Sequence, residues 1–356
     1  MPDLTLSPVA VPSRADDGDG ADFRELIALR NAHYRRVRGN DEYTMTPEQA
    51  LPHWQDRSDR LMEGLLARVD GEVVASGTVT FPQEDGAVTG EMNIRVTPDR
   101  WGEGIGSQLV TVLERLVAER GRTSAQGWSE HPESDGDRLA AATGYGSLPR
   151  DHVTRFLVRH GFVLEQVYRN SRLLIGGDLC DIRDLTADAR SAAGAYRTIS
   201  WEAPTPEEHL DGFAWMKSRM STDAPAGGVD VPEQAWDAER VRRLDAKRVE
   251  GGYRVFVTAA QHRASGQLAA FTELVVDADR PLSANQDDTL VLKAHRGHRL
   301  GMLLKGENLL RMREAIPEVA AIDTYNAEEN RPMLSINEAM GFVPVMYAGE
   351  WQKRLS

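Results

Sequence analysis

Two segments of this chain place a glycine-containing turn between a strand-like apolar run and an amphipathic helical pattern. They are 96–107, VTPDRWGEGIGS, and 291–302, VLKAHRGHRLGM. A turn in that setting points successive backbone N–H groups at one spot. The helix that follows adds a partial positive charge there, and glycine lets phosphate oxygens approach the backbone closely. Both segments therefore read as cradles for a pyrophosphate. Neither ends in the Lys-Ser/Thr of a P-loop. Both follow several antiparallel-looking strands rather than opening a crossover unit. Nucleoside triphosphates and dinucleotides are thus disfavoured.

The turns belong to a larger repeat. Gly106 and Gly301 are 195 residues apart, and the later pairs Gly161-Phe162 and Gly341-Phe342 are 180 apart. The first copy thus carries about 15 extra residues between these anchors, placed most simply in the polar stretch 130–150 as a surface loop. In the first copy, apolar periodicity predicts a strand over 4–11, a helix over 21–37 and a hairpin 65–69/72–81 turning on Asp70-Gly71. A strand over 90–96 and a helix over 107–120 follow. The second copy predicts a strand 196–202, a helix 207–220, a hairpin 254–260/267–276, a strand 288–292, a helix 302–315 and a strand 320–325. The join falls near 176–193, giving domains 1–180 and 181–356.

Composition narrows the function. No apolar run approaches the roughly 18 residues of a membrane span, and the first 20 residues lack the apolar core of a secretory signal. The single Cys180 fits a reducing compartment, so a cytoplasmic enzyme is expected. A net charge of −13 argues against nucleic acid as a partner and suits an amine substrate. His33, His53 and His209 stand alone, and no metal-ligand spacing is present.

The turns and the segment 325–342, YNAEENRPMLSINEAMGF, resemble the GNAT superfamily of N-acetyltransferases. Its signature is Arg/Gln-x-x-Gly-x-Gly/Ala between a strand and a helix. The resemblance covers nearly the whole chain as a tandem pair, similar in layout to mycothiol synthase. It implies an α/β (α+β) fold of two GNAT-like domains, each a mixed twisted sheet with helices on both faces. Two strands in each sheet splay apart to admit a pantetheine arm. It also implies acetyl-CoA, or another acyl-CoA, as cofactor. In the second copy, Arg296 matches the Arg/Gln position and Gly301 the last glycine, while Arg299 replaces the middle one. In the first copy, Gly104 and Gly106 match, and Trp101 stands at the Arg/Gln position. The superfamily's Tyr acid, four residues before Gly-Phe, is Asn337 in one copy and Leu157 in the other.

His295, Arg296, His298, Arg299 and Lys305 surround the second turn of an otherwise acidic chain, whereas Arg100 is offset by Glu103 in the first. This points to the second copy as the main cofactor site, with the first degenerate. The resemblance implies cofactor contacts from Val291, Lys293, Arg296, Gly297, His298, Arg299, Gly301, Met302, Asn326 and Asn330. Helix capping is an equal role for one of the two asparagines. For the base, Glu273 inside an apolar strand comes first. Asp287 comes second, and Tyr325 is a candidate donor. Each has a structural alternative: an exposed strand face, a solvated turn and a core tyrosine. Glu91 takes a comparable position in the first copy. The segment 220–230 reads as a lid over the second site or a plain linker. The resulting expectation is direct acyl transfer to a small amine, with a homodimer as an open arrangement. A non-catalytic acyl-CoA sensor is the competing reading.

Overall fold

The structure, a computed structural model, describes residues 4–223 and 226–355. In chain order it contains β1 (Leu4–Pro8), α1 (Ala21–Arg38), α2 (Pro47–Gln55), β2 (Arg60–Val69), β3 (Glu72–Pro82), β4 (Thr89–Val96) and α3 (Ile105–Glu119). Next come β5 (Ser124–His131), β6 (Arg138–Ala140), β7 (Ser147–Pro149), α4 (His152–Arg159), β8 (Val163–Leu174) and α5 (Cys180–Ala192). The rest are β9 (Tyr196–Glu202), α6 (Glu207–Asp223), α7 (Ala238–Glu250), β10 (Tyr253–His262), β11 (Leu268–Asp277), β12 (Ser283–Val291), α8 (Leu300–Ala315), β13 (Ala321–Ala327), α9 (Arg331–Met340) and β14 (Val343–Arg354).

Two compact units result. The first takes the chain up to Tyr168, together with 226–232 and the segment from Tyr347 onward. The second takes Arg169–Pro225 and Glu233–Met346. A single cut at 180/181 does not describe them. The reason lies in β14, whose residues Tyr347–Arg354 pair antiparallel with His131–Ser124 of β5. A strand encoded at the end of the chain thus completes the first sheet. The segment 226–232 also joins the first unit. The Asp230 carbonyl accepts from Gln126 Nε2 (2.8 Å), and its N–H donates to Gln352 Oε1 (2.8 Å). These residues are fastened within the first unit, whereas residues 220–223 of the expected lid end helix α6. Residues 224 and 225 of the expected lid lie outside the described residues.

In the first unit the strand order is β1-β2-β3-β4-β5-β14. The β2/β3 hairpin turns on Asp70 and Gly71, both at positive φ. Helix α3 buries Leu109, Leu113 and Val117 against one sheet face, each contributing roughly 1.5–3 kcal/mol. Helices α1 and α2 pack together through Phe23, Leu26 and Trp54. A capping box at Thr46 and Gln49 starts α2. The stretch 130–150, expected as loop, instead holds the small hairpin β6/β7.

In the second unit the order is β13-β12-β11-β10-β9. The later half of β8 is tied to β13 through Arg172 and Asp323 (2.6 Å). Helix α8 is buried along most of its length in the core that also takes α5 and α9. This is why its sequence shows little of the one-sided apolar stripe seen in α3.

Each sheet divides at one parallel pair. β4 and β5 are in register from Thr89↔Ser124 to Met92↔Gly127 and pair no further, though both strands continue. β12 and β13 behave alike, from Ser283↔Ala321 to Gln286↔Thr324. One difference separates the copies. The β3/β4 ladder runs evenly to Val96, whereas β12 bulges opposite Glu273, passing from Gln286↔Leu274 to Thr289↔Thr272.

Candidate active site in the first unit

Beyond Met92 and Gly127 the two strands of the first unit part. A cleft of about 500 Å³ opens between them and continues to the glycine turn. Its walls come from α1, β4, the turn, β5 and α4. The turn holds Gly102 at φ 87° and Gly104 at φ 84°, and a Cβ at either position would meet nothing within 4 Å. The left-handed backbone demands glycine there, and the space above it is open. Helix α3 starts directly after Gly104, so its first N–H groups face the cleft mouth.

Trp101 occupies the Arg/Gln position of the signature. Its indole N–H donates to the Val96 carbonyl at 2.9 Å. Its ring stacks on His152 at 4.1 Å, and the Arg36 guanidinium lies 5.0 Å from its centre. Burial and the Arg36 charge lower His152 although Asp151 opposes them. At the far wall Asp151 caps α4 by accepting from the Thr154 N–H (2.9 Å) and binds His131 Nδ1 (2.7 Å). Burial raises Asp151, but the hydrogen bond and charge of His131, the Thr154 N–H and the His152 charge together outweigh it, so the carboxyl stays below its usual range.

Ser129 Oγ is 2.7 Å from His131 Nε2 and accepts from Trp351 Nε1 at 2.7 Å. Ser129, His131 and Asp151 thus have the connectivity of a hydrolytic triad. The imidazole is fully buried, however, and both ends of the relay are spent within the fold. The arrangement braces β5 and β14 against the start of α4.

On β5, Gln126, Trp128 and Glu130 alternate toward the face opposite α3. Beside them lies a carboxyl group that periodicity does not reveal. Glu350 of β14 stands in register with Trp128, one strand over from the end of the paired β4/β5 segment. Burial, and then the neighbouring Glu91 charge, push Glu350 up to about 8.

The second copy repeats the turn with different occupants. Arg296 Nε donates to the Val291 carbonyl at 3.2 Å. Gly297 is at φ 86°, and Arg299 holds φ 55° where the first copy has Gly104, so the turn survives the missing glycine. Its polar side chains are largely engaged by neighbours in the unit. Arg299 pairs with Asp188 (2.7 Å), and His295 Nδ1 meets the Tyr196 hydroxyl (2.9 Å). His298 packs on the Tyr196 ring. Burial, with His262 and His298 nearby, lowers His295. Lys293 lies in a short 3-10 turn, and Met302 is buried in the core. A Cβ on Gly301 would come within 2.8 Å of Ile336 Cδ1, which puts α9 close against the start of α8.

Lys305 stands where the first copy has Val110, a cleft residue. It is 2% exposed, its Nζ has no hydrogen-bond partner and lies 5.8 Å from the centre of the Phe342 ring, and burial pushes it down to about 7. Asn326 Oδ1 accepts from Asn337 Nδ2 at 2.6 Å. Asn330 sits at the N-cap of α9 without a side-chain capping bond. Tyr325 follows directly after the last paired residue of β13.

The expected catalytic carboxylates of the second copy form an ion-pair network. Glu273 is 1% exposed, and one oxygen lies 2.5 Å from Lys217 Nζ while the other lies 3.0 Å from Arg248. Asp288 shares Lys217 (2.7 Å), and Asp287 takes Arg248 (2.6 Å). Burial raises Asp287 to about 6. Arg248 opposes that rise, and Glu273 and Asp288 add to it. Both oxygens of Glu273 are thus engaged by cations within the unit. Its exposed-face alternative does not hold, because its side chain is inside. Among the described residues no cluster of three or more metal-ligating side chains occurs, and no helix is long and apolar enough to cross a membrane.

Comparison with known proteins agrees with this geometry. The model of the Acetyltransferase (GNAT) family matches residues 25–133, the part of the chain that includes α1, β4, the first glycine turn and β5. Among solved structures, the chain is similar to a tandem GNAT protein from the clavulanic acid biosynthesis pathway. Identity is 23% and the TM-score 0.74, covering 99% of this chain and 98% of that one. It is also similar to a GCN5-related N-acetyltransferase from Sphaerobacter thermophilus, at 14% identity and TM-score 0.62 over 99% and 95%. No curated protein matches the sequence significantly.

Proposed function

From the premise of a GNAT acetyltransferase match in the first half and a tandem GNAT fold throughout, we propose that the first unit binds acetyl-CoA and transfers its acyl group directly to an amine. The observation that carries this is the parting of β4 from β5 directly beneath an unobstructed glycine turn. The cleft fits the cofactor because both glycine positions leave room for phosphate oxygens and the N-terminus of α3 faces them. Acetyl-CoA supplies the thioester acyl group.

The residues of the chain supply the rest. Past Met92, β4 has no strand partner on the β5 side, so backbone N–H groups on that edge are available to polarise the acyl carbonyl. The Glu350 carboxyl, raised toward neutrality and set beside Trp128 and Glu91, takes the proton from the incoming ammonium. The amine nitrogen bonds to the acyl carbon as the carbon–sulfur bond breaks, and the second proton the nitrogen sheds goes to the departing thiolate. A thiol ionises near 8.5, so the departing thiolate needs no strong acid, and Leu157 in place of the superfamily Tyr is tolerable. The second unit, whose basic turn residues are engaged internally, supports the tandem fold. Its cofactor and catalytic expectations at Arg296, Glu273 and Asp287 are secondary in this reading.

The test is release of free thiol from acetyl-CoA over a panel of small amines. Turnover that disappears in Gly104→Val supports the proposal. Tight coenzyme A binding with no thiol release over any amine would favour the non-catalytic sensor.

A further inference from the structure

The face of the first sheet opposite α3 concentrates positive charge that acetyl transfer alone does not call for. On β4, Met92, Ile94 and Val96 pack with the leucines of α3. Alternation therefore turns Asn93 and Arg95 to the other face, where α1 lies. Arg95 lines the cleft and hydrogen-bonds with the Tyr34 side chain, yet its Nε has neither a partner nor solvent contact. Arg36 stands nearby, beside His33 (3.5 Å). Two anions flank these cations: Glu130 pairs with Arg38 at 2.8 Å, with side-chain exposures of 6% and 5%, and its charge also reaches Arg95, while that of Asp151 reaches Arg36. Burial, followed by the charges of Arg95, Arg36, Arg30 and Arg38, holds His33 down to about 3.

A buried guanidinium N–H without an acceptor is destabilising, and an arriving anion would satisfy it. The pyrophosphate is not that anion. Its cradle is the turn at the N-terminus of α3, whereas Arg95 projects to the α1 face. We propose that the pocket around Arg95 receives a carboxylate, carried either by the amine acceptor or by the far end of the acyl chain, while Arg36, over the Trp101 ring, stays with the turn. A planar guanidinium grips a carboxylate through two parallel N–H···O bonds. Glu91 and Glu350 lie toward the other end of the same face. Four residues of strand, about 13 Å, separate Glu91 from Arg95, so an acceptor with an ammonium at one end and a carboxylate at the other meets both charges. The inference rests on the acyl-transfer reading of the same cleft.

Two arms distinguish the sources. In the first, 6-aminohexanoate, long enough to reach from one end of the face to the other, is compared with hexylamine using acetyl-CoA. In the second, succinyl-CoA is compared with butyryl-CoA using one amine. The quantity read is the ratio of kcat/KM for the carboxylated partner over the plain one. The expected ratio exceeds about tenfold in one arm and falls roughly 10- to 100-fold in Arg95→Met, with partial recovery in Arg95→Lys. A ratio near one in both arms, or one that Arg95→Met leaves in place, overturns the inference. Calorimetric titration with coenzyme A and with glutarate separates the two failures. Absent coenzyme A binding sinks the acyl-transfer reading. If no acceptor turns over, Arg95-dependent glutarate binding supports the carboxylate pocket, and no glutarate binding to the wild-type protein overturns it. Circular dichroism melts confirm that the variants are folded, and Arg95→Lys decides if Arg95→Met is not.

Discussion

Trp101 and Arg296 stand 195 residues apart and make the same hydrogen bond. Each donates a side-chain N–H to the carbonyl five residues before it, Trp101 to Val96 at 2.9 Å and Arg296 to Val291 at 3.2 Å. An indole and a guanidinium share one useful feature here, a planar N–H at the end of a long side chain. That bond ties the turn to the end of the strand below it. The two copies therefore keep one loop shape with unlike residues.

The loop shape locates the cofactor test. Gly104→Val forces a β-branched residue into the left-handed region, at a cost of at least 1–2 kcal/mol, and places its side chain in the cradle. We expect coenzyme A affinity to fall about tenfold or more, measured by calorimetry. The loss should exceed that of Arg296→Glu. The reverse order would return the principal site to the second turn.

Glu350 gives the reaction a pH signature. With its carboxyl raised to about 8, the basic form accumulates above that pH. The kcat/KM for acyl transfer should then climb with pH and level off past 8. Glu350→Gln should remove that limb and slow transfer by about 10²- to 10⁴-fold. Stability moves the other way. A folded-state value above the ordinary 4.5 means the folded protein keeps a proton that the unfolded chain releases. This contribution is present in full below 4.5 and is lost as pH rises through 8. Glu350→Gln should flatten that decline in a melting-temperature series.

In the second unit, Lys217 anchors the ion-pair network. Lys217→Met leaves Glu273, 1% exposed, with one cation fewer. The expected destabilisation is about 3–5 kcal/mol by urea unfolding. Replacing Glu273 with leucine as well should recover a large part of that loss. Losses that simply add would mean that the two groups do not interact.

Lys305 predicts a gain. Its amine is buried, has no hydrogen-bond partner, and is lowered from 10.5 to about 7. Between those values the unfolded chain binds the extra proton, so stability should rise with pH across that window. Lys305→Met should stabilise the protein, most of all below pH 7. The displacement sets an upper bound of ~5 kcal/mol. A melting temperature unchanged at pH 6 would contradict this.

The repeat, the glycine turns, the hairpins and most strands were legible because each rests on local spacing. Strand Tyr196–Glu202 matches its predicted bounds, and the other predicted elements are displaced mainly at their ends. Chain-distant partnerships were not legible. The charge count around the second turn is visible in sequence. That Asp188 holds Arg299, that Tyr196 meets His295 and that Lys305 is buried are tertiary facts. Glu273 was correctly singled out as anomalous in an apolar strand, yet its reason, Lys217 of α6, lies 56 residues away. Glu350 gave no signal because its environment is built by β5 and Glu91. Arg95 reads as an ordinary outward strand residue until α1 is placed over it.

The ribosome sets a further condition on the first unit. While the nascent chain is still being made, β5 has β4 on one side and a bare edge on the other, because the strand that covers it, Tyr347–Arg354, follows the residues of the second unit. An uncovered edge of this kind invites mispairing. The unit matched by the acetyltransferase family therefore keeps this edge open until residues 233–346 of the second unit have been made. Removing Tyr347–Arg354 would strip β5 of its antiparallel partner and damage a unit whose other residues lie far upstream.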